Sequence, residues 1–114
     1  MGQLLNGTIY ERISKSEKRE RQRQLNEERN IALESFCKAA VKFSAIGEYV
    51  DAGKCYFSGR NYKAALESFT RVRRYREMAQ CCFKLGRFVE AATLFLKNDD
   101  AMECIESLEA AQEY

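Results

Sequence analysis

Three stretches of the chain carry one sparse pattern: Gly47-Glu48-Tyr49-Val50-Asp51-Ala52, then Gly59-Arg60-Asn61-Tyr62-Lys63-Ala64-Ala65, then Gly86-Arg87-Phe88-Val89-Glu90-Ala91-Ala92. Each places a glycine, an aromatic two or three residues on, and an alanine three residues after that. A second aromatic follows four residues behind the alanine, giving the pairs Ala52/Tyr56, Ala65/Phe69 and Ala91/Phe95, and Ala79/Phe83 repeats the pair with no glycine before it. Four residues is about one helical turn, so the members of each pair share a helix face. The alanines recur about every 13 residues, room for one short helix and its turn; two such steps make a hairpin of ~26 residues, and stacked hairpins make a solenoid.

Apolar residues recur at helical spacing and no alternating Val/Ile/Thr-rich run occurs, so the expected fold class is all-α. With 114 residues the chain has the size of one domain. The pattern predicts helices over 49–58, 62–72, 75–85, 88–97 and 100–112. Gly47, Gly59 and Gly86 are expected to end helices in the left-handed conformation. Arg73-Arg74 and Asn98-Asp99 fill the turns without glycine, and Asn98 or Asp99 is expected to cap the last helix. The alanines let helix backbones approach, and the aromatics four residues on fill the gaps as core.

Ahead of these repeats, residues 1–10 read as a tail and residues 11–46 as a longer N-terminal helix. Residues 47–114 carry the hairpins, and residues 11–114 form one domain. From 11 to 30 the chain is almost wholly polar, and Ile13, Leu25 and Ile31 are too sparse to make a buried stripe. That half is expected to be solvated, frayed or held by something outside the chain. A helix over 11–46 is far longer than average, so the reading is one extended helix or a break near residues 26–30. From Ile31 the pattern turns amphipathic through Leu33, Phe36, Cys37, Ala40, Val41, Phe43 and Ile46.

The motifs that mark catalytic sites are missing. There is no histidine, the commonest acid/base at neutral pH. No nucleophile elbow, phosphate-binding glycine loop or metal-ligand cluster occurs. The five cysteines contain no Cys-x-x-Cys pair, and Cys55, Cys82 and Cys104 fall beside apolar residues, where a thiol packs as a small hydrophobe. The expectation is a protein that is not an enzyme, with no catalytic, cofactor-binding or metal-binding residues. No stretch approaches the ~20 apolar residues of a membrane span. The start lacks a leader pattern, and Asn6 stands where a myristoylation signal wants Ser or Thr. The expected location is intracellular, cytoplasm ahead of nucleus, with no membrane partner.

Gly86-x-Phe88-x-x-Ala91-x-x-x-Phe95, preceded by Ala79-x-x-Cys82-Phe83, resembles one tetratricopeptide-type helical hairpin. The block Ala52-x-x-x-Tyr56-x-x-Gly59-x-x-Tyr62-x-x-Ala65-x-x-x-Phe69 is similar, with one extra residue between glycine and aromatic. The likeness covers residues 47–97. It departs from the usual form in a repeat nearer ~26 than ~34 residues, and in lacking the closing proline and early tryptophan. The run Cys55-Tyr56-Phe57-x-Gly59 and the run Cys81-Cys82-Phe83-x-x-Gly86 are also similar to the short hairpins of intracellular transport and coat proteins. A further likeness is to very large tetratricopeptide-and-ankyrin-repeat proteins with a helicase-like domain. These resemblances imply an α-solenoid of short antiparallel hairpins acting as a binding scaffold.

Charge supplies the remaining hint. Arg71, Arg73, Arg74 and Arg76 crowd an expected turn, whereas residues 99–114 hold six acids and no base. The four arginines could take phosphates or an acidic peptide, with Tyr75 as a stacking face; alternatively they cap carbonyls and pair with nearby acids. The expected function is a non-catalytic scaffold for protein or peptide partners, a fragment of a larger protein. The alternative is a nucleic-acid-associated module of a helicase-like protein. On the last helix, Met102, Ile105 and Leu108 form a candidate surface for self-association.

Overall fold

The computed structural model describes residues 2–113, with side chains from Ser14 onward. The described residues form helices α1 (Gly2–Ala45), α2 (Tyr49–Ser58), α3 (Tyr62–Arg71), α4 (Tyr75–Lys84), α5 (Phe88–Lys97) and α6 (Ala101–Glu113), and include no strand. The fold class is all-α, and no helix among these residues is long and apolar enough to cross a membrane.

The backbone divides into two units, residues 1–32 and residues 33–114. In the first, every described side chain from Ser14 to Ala32 is exposed. Its surface carries an Arg23–Glu20 ion pair at 3.6 Å and a Gln22 to Asn26 hydrogen bond at 3.1 Å. Helix α1 takes in the stretch expected as a tail and continues without a break at 26–30. No proline or glycine falls between Thr8 and Ile46, so neither of the usual breakers interrupts it there.

The second unit is evenly spaced. Helices α2 to α6 begin at Tyr49, Tyr62, Tyr75, Phe88 and Ala101, at one constant interval, and a short turn separates each from the next. The middle residue of every turn is left-handed: Gly47, Arg60, Arg73, Gly86 and Asp99, with φ of 81°, 60°, 53°, 79° and 60°. At each turn the amide of the third residue donates to the carbonyl five positions back, as in Glu48 to Phe43 and Arg74 to Phe69. The amide of the middle residue donates to the carbonyl three positions back, as in Gly47 to Ser44 and Arg73 to Thr70. This paired Schellman geometry satisfies carbonyls that a helix end otherwise leaves open.

Two turn expectations are corrected by this geometry. Gly59 is not left-handed; its φ is −79°, and Arg60 takes the strained position. Glycine is needed at 59 because a Cβ there would lie 2.7 Å from Cys37 Sγ and 3.0 Å from the Leu33 carbonyl oxygen. Asp99 occupies the left-handed position rather than a cap, and the Asn98 side chain donates to the Asp100 carboxylate at 2.8 Å.

Each of α2 to α5 packs against the helix that follows it. Ala52, Ala65, Ala79 and Ala91 are fully buried where helices meet, and Phe69 and Phe95 fill the space beside them. The expected Ala79/Phe83 pair is different. Cys82 stands midway in sequence between Phe69 and Phe95 and takes the equivalent buried place on α4, while Phe83 is 36% exposed. The residues of α4 that keep the repeat's beat are Met78 and Cys82, so Ala79 and Phe83 each sit one position late.

Antiparallel pairing shows in the ring contacts. Phe57, near the end of α2, meets Tyr62 at the start of α3 edge-on, with centroids 5.1 Å apart; Phe83 and Phe88 repeat the contact between α4 and α5, also at 5.1 Å. At the far end of each pair a cation covers a tyrosine: Arg71 lies 4.9 Å from the Tyr49 ring and Lys97 4.8 Å from the Tyr75 ring. Both contacts of the α2/α3 pair thus recur at the equivalent positions of the α4/α5 pair.

Candidate functional site: a cleft repeated on α2, α4 and α6

The two-helix period also builds a surface. One cleft, of about 430 Å³, is lined by Lys54, Phe57, Ser58, Phe69, Glu77 and Gln80. A second, of about 340 Å³, is lined by the equivalent residues two helices further on, Gln80, Phe83, Lys84, Phe95, Glu103 and Glu106, together with Phe57 and Ser107. The two are one site in successive repeats, and they share Phe57 and Gln80.

Local folding explains each lining group. Phe69 and Phe95 belong to the buried faces of α3 and α5 and form the floors. Phe57 and Phe83 form the walls, each held by its edge contact with the aromatic that opens the next helix. The rims come from α2, α4 and α6, whose turns bring positions 54, 80 and 106 to equivalent places. Ser107, fully buried beneath the second cleft, donates its hydroxyl to the Glu103 carbonyl at 2.8 Å, so it offers no unsatisfied group to a ligand. The clefts are apolar at the floor and charged only at the edge.

Two thiols of α4 are held protonated by burial. Cys81 is fully buried, and burial, with smaller contributions from Cys82 and Glu77, pushes its pKa from 9.0 up to about 12. Cys82 is raised too, chiefly by burial and further by Glu90, against the opposing pull of Arg87. A thiol kept protonated is a poor nucleophile. Among the described residues, no group of three or more Cys, Asp or Glu side chains is placed to hold a metal.

The arginine cluster is dispersed among intramolecular partners. Arg71 donates to the Tyr49 hydroxyl at 3.3 Å, Arg74 pairs with Glu77 at 3.0 Å, and Arg76 lies 4.0 Å from the Asp100 carboxylate. Lys97 covers the Tyr75 ring offered as a stacking face. Arg73 holds the left-handed turn position. Met102, Ile105 and Leu108 are exposed on α6, at 67%, 50% and 45%.

Sequence reasoning missed the cleft. Its signal was the spacing of Phe57 and Phe83, and of Lys54, Gln80 and Glu106, at two beats instead of one. No protein-family model, curated protein or solved structure matches the chain.

Proposed function

We propose that this chain is a non-catalytic helical-repeat scaffold, a short α-solenoid of tetratricopeptide-like hairpins, that binds a segment of a partner protein along α2, α4 and α6. The observation that carries the reading is the recurrence of one apolar-floored cleft in successive helix pairs. Successive equivalent pockets suit a linear ligand, whose side chains also recur at intervals. Three of the four clustered arginines are engaged within the chain, which favours this reading over nucleic-acid binding. The exposed Met102, Ile105 and Leu108 support a further protein contact on α6.

A random-peptide display library panned on the purified protein tests the proposal. It is expected to enrich sequences whose binding is lost in Phe83→Asp, with circular dichroism and the unfolding midpoint confirming that the variant stays folded despite losing the edge contact with Phe88. Enrichment that is indifferent to Phe83, or none at all, contradicts it.

A further inference from the structure

The two clefts share a shape but not a charge, and the difference specifies the occupant. In the first, Glu77 is neutralised by Arg74 at 3.0 Å, which leaves Lys54 as the unpaired charge. In the second, Lys84 faces two carboxylates, Glu103 and Glu106, and none of the three forms an ion pair among the described residues. The rim at α6 is therefore net negative, and Glu109 and Glu113 extend that sign along the helix.

Spacing constrains the occupant as well. Phe57 of α2 and Gln80 of α4 line both clefts, so these alternate helices stand side by side along the groove. Neighbouring helices lie about 8–10 Å apart, and a polyproline II chain rises about 3.1 Å per residue with three residues per turn, so side chains three residues apart on one face of such a peptide match equivalent points of the two clefts.

On the reading of the groove as a peptide site, we propose that its occupant is a polyproline II segment with two large apolar side chains three residues apart and a lysine or arginine beside the one seated in the second cleft. The first anchor rests on Phe69 against Phe57, and the second on Phe95 against Phe83. The cation meets Glu103 and Glu106. Carboxylates beside an apolar floor attract such a group, and they reject an acidic residue in its place.

Fluorescence anisotropy with labelled synthetic peptides tests the assignment. The probe carries two leucines three residues apart, lysines flanking the second, and serine elsewhere; companions replace the lysines by serine or by glutamate. The lysine peptide is expected to bind tightest, and Phe83→Ala to weaken it about tenfold as a wall residue is lost. The double variant Glu103→Gln/Glu106→Gln, on the surface of α6, is expected to weaken it about fivefold and to flatten its salt dependence. Equal binding of the serine peptide, with Phe83 dependence retained, overturns the charge assignment and leaves the groove reading standing. Tighter binding of the glutamate peptide, or an unchanged affinity in the double variant, overturns the assignment as well. If no leucine pair binds while display yields Phe83-dependent ligands of another spacing, the two-anchor geometry is wrong.

Discussion

Arg71, the last residue of α3, donates to the hydroxyl of Tyr49, the first residue of α2, at 3.3 Å, with its guanidinium 4.9 Å from the ring centre. The equivalent positions of the next helix pair hold Lys97 and Tyr75, again cation over ring. A basic residue at a helix C-terminus is favoured by the helix dipole, and a tyrosine at the neighbouring start gives it a face to cover. The clasp closes the open end of each antiparallel pair, opposite the edge-on aromatics that close the turn end. A pair fixed at both ends carries its groove residues to the same place in each repeat.

The turns separate strain from close approach. Arg60→Gly and Arg73→Gly each relieve a left-handed side chain costing roughly 1–2 kcal/mol and lose ~1 kcal/mol to chain entropy, for a net gain of ~0–1 kcal/mol. Gly59→Ala is expected to lose ~1–3 kcal/mol although φ is −79°, because Cys37 Sγ and the Leu33 carbonyl stand in the way. Urea unfolding of the three variants checks this; a neutral Gly59→Ala removes the proposed close approach.

The fully buried alanines set the helix spacing. Ala65→Leu and Ala91→Leu are each expected to destabilise by ~1–3 kcal/mol, since the added side chain has no space between packed helices. Unchanged thermal unfolding in both variants contradicts the packing register.

Much of this architecture was legible in the sequence. The starts of α2, α3, α4 and α5 fall where the aromatics Tyr49, Tyr62, Tyr75 and Phe88 announce them, because an onset aromatic and an alanine three or four residues on form a local pattern. Gly59 misled because glycine serves both left-handed turns and close contacts, and only the position of Cys37, 22 residues away, distinguishes the two uses. Phe83 misled because a helix face is defined by its neighbours: one residue of drift within α4 moves it from core to groove wall. The arginines read as a cluster in one dimension, yet their partners Tyr49 and Asp100 come from other elements.

Burial of Cys81 makes stability sensitive to alkali. Its folded pKa, about 12, lies above the unfolded value of 9.0, so the native state holds its proton where the unfolded chain has lost it. Its contribution is fully present below pH 9.0 and is lost as pH rises toward about 12, at up to ~1.4 kcal/mol per pH unit. Comparing the urea midpoints of the parent and Cys81→Ala between pH 8 and pH 10.5 checks this: the parent loses stability faster. Parallel curves contradict the assignment.

The central claim is that α2, α4 and α6 present one repeated groove that receives a partner. NMR titration of the labelled protein with the lysine-flanked two-leucine peptide tests it most directly. Shifts centred on Lys54, Phe57, Phe69, Gln80, Phe83, Phe95, Glu103 and Glu106, with Lys63, Glu67, Val89 and Thr93 on the other faces of α3 and α5 undisturbed, are the predicted result; shifts centred on those four residues, or none at saturating peptide, contradict it.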